Sequence, residues 1–459
     1  MEIKTPKTEN PTPRTLYPVS LGCPKNLVDT EIMLGRLTGR GWQVVASPEE
    51  ARVLLINTCA FIAPAAQEAV DTILELARHR ETDPEKKLVV TGCLVARYGE
   101  DLLPDLPEVD LFVGVDDFPR LPELLEGFAA TPGLRLVNQA SRFAYAEPQP
   151  RYPATPRHLA YLKIAEGCSH RCTFCTIPAI RGPYRSRPLA TLLAEAQHLS
   201  AAGVRELNLI AQDTTAYGRD WGGRPGLADL LLELAGIPGF SLIRLLYTHP
   251  AHVTPELIEV MAALPNLAPY LDIPIQHGHD DMLRRMGRGY TQGQILDLCA
   301  RLREAIPGLV LRTTVMVGFP GETEEHFETL AQVLDQVRFE HLGVFPYYPE
   351  ENTPSSRFEH PVPRRTAQAR ARILKNRQAR LVKERLKKLV GTVQPVLVEG
   401  QSPESEYLLT GRLLTQAPDI DGQVYITAGM GLVGEIQLVC LTRALPYDLV
   451  GEIVEGEEL

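Results

Sequence analysis

Three short apolar runs in the first hundred residues each end in a cysteine. Tyr17-Pro18-Val19-Ser20-Leu21 leads into Gly22-Cys23-Pro24, Val53-Leu54-Leu55-Ile56 into Asn57-Thr58-Cys59, and Leu88-Val89-Val90 into Thr91-Gly92-Cys93. The cysteines stand 36 and 34 residues apart, about one strand–helix–strand unit. Helical periodicity over residues 28–38 and 64–78 fills the gaps between them. Strands alternating with helices predict a parallel sheet with helices on both faces. In such a sheet the carboxyl ends of the strands share one edge, where ligands bind. Cysteine at the same point of three consecutive units therefore brings three thiols to one edge. Residues 112–115 and 134–137 are candidates for two further strands.

A second series follows a Pro-rich stretch, residues 144–156, that reads as a linker. Its candidate strands are residues 160–165, 206–211, 241–247, 270–275, 309–317 and 342–347, with helical patterns between them. These six fall short of the eight that close a full barrel, so an open, partial barrel with a lateral mouth is expected. Residues 364–390 contain no Gly or Pro and read as one long helix. Beyond Gly391, short β-rich runs at 393–398, 407–414, 423–426 and 434–441 predict a small all-β barrel. The expected fold is multidomain α/β, with an N-terminal parallel sheet over 1–145, a partial (β/α)6 barrel and closing helix over 154–390, and a β-barrel over 391–459.

The net charge of −10 is unevenly spread. Residues 363–390 carry 11 Lys and Arg against 1 acid, while residues 391–459 carry 2 against 11. No apolar run is long enough to span a bilayer. Residues 1–15 are polar, lack an apolar core segment and read as a disordered leader rather than a secretion signal. A cytoplasmic protein follows, and 8 cysteines in a reducing compartment point to metal rather than disulfides.

The second cysteine set is local. Cys168-x3-Cys172-x2-Cys175 follows a candidate strand directly. Three thiolates on one loop can hold three irons of a 4Fe–4S cluster and leave the fourth open. A structural zinc site, the bland alternative, asks for four closed ligands. His170 would be a fourth donor only by straining the loop that contains it. Spacing, preceding strand and following βα series together resemble the radical S-adenosylmethionine (SAM) superfamily, in which the open iron takes the amino-acid end of SAM. Phe174, just before the last cysteine, is placed to shield the cluster. Cys23, Cys59 and Cys93 would hold three irons of a second cluster. Cys299, in a helical run, and Cys440, in a strand, are expected to be buried small hydrophobes.

Over almost its whole length the chain resembles the methylthiotransferase family. The blocks that carry the resemblance are Ser20-Leu21-Gly22-Cys23-Pro24-Lys25-Asn26, Asn57-Thr58-Cys59-Ala60-Phe61-Ile62, Thr91-Gly92-Cys93-Leu94 and Glu166-Gly167-Cys168-Ser169-His170-Arg171-Cys172-Thr173-Phe174-Cys175. The C-terminal β segment is similar to the TRAM domain of that family. The resemblance implies two 4Fe–4S clusters, one handling sulfur and one generating the radical, with SAM as both methyl and radical source. Lys25-Asn26-Leu27-Val28-Asp29, Phe61-Ile62 and Ile177-Pro178-Ala179-Ile180-Arg181-Gly182 match the branch that methylthiolates the β-carbon of an aspartate in the twelfth protein of the small ribosomal subunit. One block departs from the family pattern, with Tyr348 in place of the usual Ser and Asn352 in place of the usual Gly.

The alternatives are methylthiolation of a tRNA adenosine and a non-catalytic iron–sulfur scaffold. RNA binding rests on phosphate contacts and asks for a basic surface, so the acidic tail disfavours tRNA. That tail is expected instead to capture a basic ribosomal protein and present its loop to the barrel mouth. The basic helix is expected to be a packing or solvated helix. An electron donor is a required partner. The strand-end residues Gln212 and Asp213, and Gly318 with Glu322 after another strand, are candidate SAM contacts.

Overall fold

The computed structural model describes residues 14–127, 136–137, 147–402 and 405–454. Two compact units divide the chain. The first holds the N-terminal sheet and Gln149–Ala154, and the second holds everything from Thr155 onward.

The first unit is built on six strands, β1 Thr15–Ser20, β2 Gln43–Val44, β3 Val53–Thr58, β4 Lys87–Gly92, β5 Leu111–Val113 and β6 Leu136–Val137. They run in the order β2-β1-β3-β4-β5-β6, and every pair is parallel. Every residue of β3 is buried, the pattern of a central strand covered on both faces. After β1 the chain crosses to β2 on one side and then returns to β3 on the other. That reversal is the switch point at which open α/β sheets bind ligands. Helix α1, Pro24–Thr38, starts behind β1, and α2, Ala63–Ala77, starts behind β3. Residues 134–135 of the fifth candidate strand lie outside the described residues.

The expected linker is no loose tether where it is described. Tyr152 N–H bonds to the Glu31 carbonyl at 2.9 Å and Ala154 N–H to the Glu31 carboxylate at 2.8 Å. Arg151 pairs with the same carboxylate, and Arg36 reaches Gln149 Oε1 at 2.7 Å. Glu31 and Arg36 thus pin residues 149–154 along α1. The stretch 144–146 lies outside the described residues.

The second unit contains the six strands expected of the partial barrel: β7 Leu159–Lys163, then after a small hairpin of β8 Ala165–Glu166 and β9 Arg185–Ser186, β10 Glu206–Ile210, β11 Leu242–Leu245, β12 Leu267–Asp272, β13 Val310–Val317 and β14 His341–Pro346. They form one sheet in the order β14-β13-β12-β11-β10-β7, parallel throughout and left open between β7 and β14. The long helix Arg364–Leu389 buries Ala367, Ala371, Leu374, Gln378, Val382 and Leu386, so it packs on the body as expected. No helix among the described residues is long and apolar enough to cross a membrane.

The C-terminal strands β15 Val393–Ser402, β16 Ser405–Leu413, β17 Val424–Ile426, β18 Ile436–Ala444 and β19 Leu449–Ile453 close a barrel in the order β15-β16-β17-β19-β18. Its position corrects the sequence reading. Arg412 pairs with Glu206, the first residue of β10. Asp421 accepts from the Tyr270 hydroxyl at 2.8 Å, and it pairs with Arg312 at 3.3 Å and with His341 at 3.1 Å. Glu206 and His341 are the first residues of their strands and Arg312 is the third of β13, while Tyr270 stands in register with Val310, the first residue of β13. The barrel therefore caps the edge of the sheet opposite to the cysteine loop, roughly 20 Å away at 3.3 Å per strand residue. Asp419, Asp421 and Glu399 are turned inward to Tyr161, Arg312 and Arg412, so part of the acidity that suggested substrate capture holds the barrel in place.

Candidate active site

The three N-terminal cysteines all arrive at the carboxyl edge of neighbouring strands. Cys23 caps α1 two residues beyond Leu21, Cys59 follows the last residue of β3, and Cys93 follows the last residue of β4. Gly22 sits at φ +88°, where a Cβ would fall 2.9 Å from Cys59 Sγ. Only glycine allows the Cys23 turn to approach that sulfur so closely. Asn26 ties the three turns together. Its Nδ2 donates to the Leu21 carbonyl at 3.1 Å and to the Thr58 carbonyl at 2.8 Å, while its Oδ1 receives Cys93 Sγ at 3.7 Å. Asn57 supports it from below, donating to the Asn26 carbonyl at 2.8 Å. The motif around Cys23 contains Asn26, but nothing local in the sequence marks it for this task.

The second cysteine loop hangs from distant parts of the sheet. Gly167 at φ +75° lies so close to the Gly182 and Pro183 carbonyls that a Cβ would clash at 2.3–2.6 Å. Cys168 N–H bonds to the Gly182 carbonyl at 3.0 Å and Thr173 N–H to the Met286 carbonyl at 3.0 Å, and Ser355 N–H bonds to the Thr173 carbonyl at 2.9 Å. Burial pushes the Cys168 thiol up to about 11 and the Cys175 thiol up to about 12. Such thiols are inert as free nucleophiles and become thiolates on binding metal. Phe174 packs against Met282, Met286 and Phe319. The donor set is therefore three soft sulfurs, one buried and two half-buried, which fits an iron–sulfur cluster.

A charged bracket lies under the loop. Glu166 accepts from Arg181 at 3.0 Å, from Lys163 at 2.6 Å and from Gln212 Nε2 at 3.0 Å. Burial raises its carboxyl, but Arg181 and Lys163 outweigh that and hold it well below the usual carboxylate range. Gln212 Oε1 is buried without a hydrogen-bond partner, so this acceptor is open to a donor. Asp213 is different. Its Oδ2 takes His170 Nε2 at 2.6 Å and His252 Nδ1 at 2.8 Å, and its Oδ1 takes the Thr215 hydroxyl at 2.5 Å and Ala216 N–H at 3.2 Å. Burial raises Asp213, and these bonds outweigh it and lower it. Its oxygens are saturated. His249 stacks on His170 with centroids 4.1 Å apart, and burial pushes it down to about 2. His170 is thus tied to Asp213 and takes no place among the sulfurs.

Gly318 and Glu322 have a structural task in the fold. Glu322 accepts from Gly318 and Phe319 N–H and pairs with Arg370 at 3.0 Å, while the Gly318 backbone lies against Ala367. Both residues seat the long helix. The departures from the family pattern also have local reasons. Asn352 holds φ +64°, a left-handed conformation that Asn tolerates best after Gly. The Arg364 guanidinium lies 6.0 Å from the Tyr348 ring centroid. Cys299 is buried, as expected. Cys440 is only half-buried on β18, because the small barrel leaves that face partly open.

Comparison with known proteins matches residues 162–334 to the radical SAM superfamily, residues 15–114 to the uncharacterized protein family UPF0004 and residues 390–454 to the TRAM domain. The ribosomal protein uS12 methylthiotransferase RimO of Geobacter sulfurreducens is 49% identical over 95% of this chain and 98% of its own length. That of Myxococcus xanthus is 48% identical over 97% of this chain and 93% of its own length. The chain belongs to the RimO family of radical SAM methylthiotransferases. It is therefore an enzyme whose cofactors are SAM and two 4Fe–4S clusters. Among solved structures this RimO-family fold is similar to the radical SAM methyltransferase TsrM of Kitasatospora setae. The TM-score is 0.56 at 16% identity, over 84% of this chain and 81% of that one. The cobalamin-dependent radical enzyme OxsB gives a TM-score of 0.54 at 14% identity, over 81% of this chain and 56% of that one. At these identities the likeness speaks for the fold alone.

Proposed function

We propose that this chain methylthiolates the β-carbon of an aspartate in ribosomal protein uS12, in the cytoplasm, with an external electron donor. The observation that carries the reading is the 49% identity to a uS12 methylthiotransferase along 95% of the chain, which takes in both cysteine sets and the terminal barrel. The N-terminal section, residues 1–145, handles sulfur, residues 154–390 generate the radical, and residues 391–459 form the capping barrel.

Cys23, Cys59 and Cys93 hold one cluster, and Cys168, Cys172 and Cys175 hold the other. Together with SAM these groups supply the radical, the sulfur and the methyl group. An unactivated C–H bond needs this, since no side-chain base can take its proton. The chain's own residues bind and orient. Gln212 offers its open Oε1 to a donor on the cofactor, with Glu166, Arg181 and Lys163 fixing the amide. Asp213 positions His170 and with it the loop between Cys168 and Cys172. Phe174, Met282, Met286 and Phe319 exclude water from the cysteine pocket.

The tRNA alternative is disfavoured by the barrel's surface. Its two Arg are Arg412 and Arg443, and Arg412 is buried at 3% exposure. One exposed cation is poor material for phosphate contacts. The test is competition, in which reconstituted enzyme is offered uS12 and tRNA together. Methylthio transfer to uS12 alone is expected, and transfer to tRNA would overturn the reading.

A further inference from the structure

Arg288 is buried at 7% exposure, and its guanidinium is fixed on three sides. Nε donates to the Tyr290 hydroxyl at 2.8 Å, Nη2 to the Pro274 carbonyl at 3.1 Å, and Nη1 to Cys172 Sγ at 3.2 Å. Tyr290 passes its own proton to the Ile275 carbonyl at 3.0 Å. The fork therefore cannot swing away from the sulfur. Its charge also reaches the other two thiols of the loop, opposing the effect of burial on Cys168 and Cys175. Arg keeps its charge under all working conditions. A surface cation would be screened, but this one is buried, where electrostatic effects are stronger.

We propose that Arg288 sets the reduction potential of the cluster held by Cys168, Cys172 and Cys175, raising it above what the same buried sulfurs would give alone. Reduction adds one electron, taken from a low-potential one-electron donor, and part of the added negative charge falls on the ligand sulfurs. A fixed N–H donor and a buried positive charge stabilise the reduced state more than the oxidised one. Without that help, burial of three thiolates beside the Asp213 carboxylate would make the electron harder to place. A tenfold change in the reduced-to-oxidised ratio corresponds to about 1.4 kcal/mol. Arg288 acts through Cys172, so it is a positioning residue and not a catalytic one.

The inference rests on the three cysteines being cluster ligands, and the test separates the two. A parent enzyme with Cys23→Ala, Cys59→Ala and Cys93→Ala isolates one cluster. Its iron content, about four per chain, checks the ligand assignment with Arg288 untouched. Parent, Arg288→Gln and Arg288→Lys are then titrated with titanium(III) citrate without SAM and followed by electron paramagnetic resonance. The Gln variant is expected to retain iron. At the poise where the parent is half reduced, its reduced-to-oxidised ratio should be about tenfold lower, about 59 mV for a one-electron couple. The Lys variant keeps the charge without the fork and should fall between. An unchanged or higher ratio in an iron-loaded Gln variant overturns the proposal. If the Gln variant loses its iron, the Lys variant decides: a lower ratio supports the proposal, and the parent ratio overturns it.

Discussion

Asn26 Nδ2 donates to the Thr58 carbonyl at 2.8 Å, which joins the turn after β1 to the residue before Cys59. The same side chain meets Leu21 and Cys93. One amide thus holds the turns that carry all three N-terminal cysteines. Asn26→Ala would take a donor from the buried Thr58 carbonyl, at about 1–3 kcal/mol, and from the half-buried Leu21 carbonyl at less. Iron after anaerobic reconstitution should fall from about eight per chain toward about four. SAM cleavage should persist, since the radical loop is untouched. Full iron in the variant would refute this role.

The two cysteine sets should separate by function. Cys23→Ala is expected to keep reductive SAM cleavage, read as 5′-deoxyadenosine, and to lose methylthio transfer. Cys172→Ala should lose cleavage outright. Equal loss of cleavage in both, with the second cluster intact in the Cys23 variant, would contradict the division.

Much of this was legible in the sequence, for definite reasons. The strands before Cys23, Cys59, Cys93 and Cys168 are apolar runs cut off by Gly or Cys, and the period of the series announces a parallel sheet. β2 was not legible because it has two residues, Gln43–Val44. β19 was missed because Gly451 interrupts Leu449–Ile453, a gap that Val439 requires, since a Cβ there would lie 2.5 Å from its Cγ1. The tasks of Asn26 and Arg288 depend on partners up to 116 residues away, and no local pattern encodes such pairs. The barrel's place at the far edge depends on Asp421 meeting Tyr270, 151 residues distant. Charge counts alone carry no information on which edge the barrel meets.

That docking should be measurable as stability. Glu206 is buried between Arg244 at 3.0 Å and Arg412. Breaking one partner of a buried pair costs about 3–5 kcal/mol. Arg412→Met should fall at the low end, since Arg244 remains, and should lower the urea midpoint of the second unit. An unchanged midpoint would mean that the pair does not secure the barrel.

Part of the acid sensitivity should trace to His277. It is wholly buried, and burial pushes it down to about 3. Unfolded, it titrates near 6.5. The folded form therefore refuses a proton that the unfolded form accepts as pH drops below about 6.5. Stability from this group is complete above that value and is lost as pH falls, by about 1.4 kcal/mol per unit, until the folded value is reached. Between pH 6.5 and 5 the loss should be about 2 kcal/mol, measured by urea unfolding of the metal-free protein. His277→Gln should flatten the slope by that amount, and a slope that does not change would assign the sensitivity elsewhere.

The substrate can be read directly in cells. Cells lacking this chain should be complemented with the intact gene or with Cys172→Ala, and their uS12 and tRNA compared by mass spectrometry. One aspartate of uS12 is expected to carry a methylthio group in place of a hydrogen only with the intact chain, and tRNA adenosines are expected to be the same in all strains. Unmodified uS12 together with a methylthio-adenosine that depends on the intact chain would contradict it.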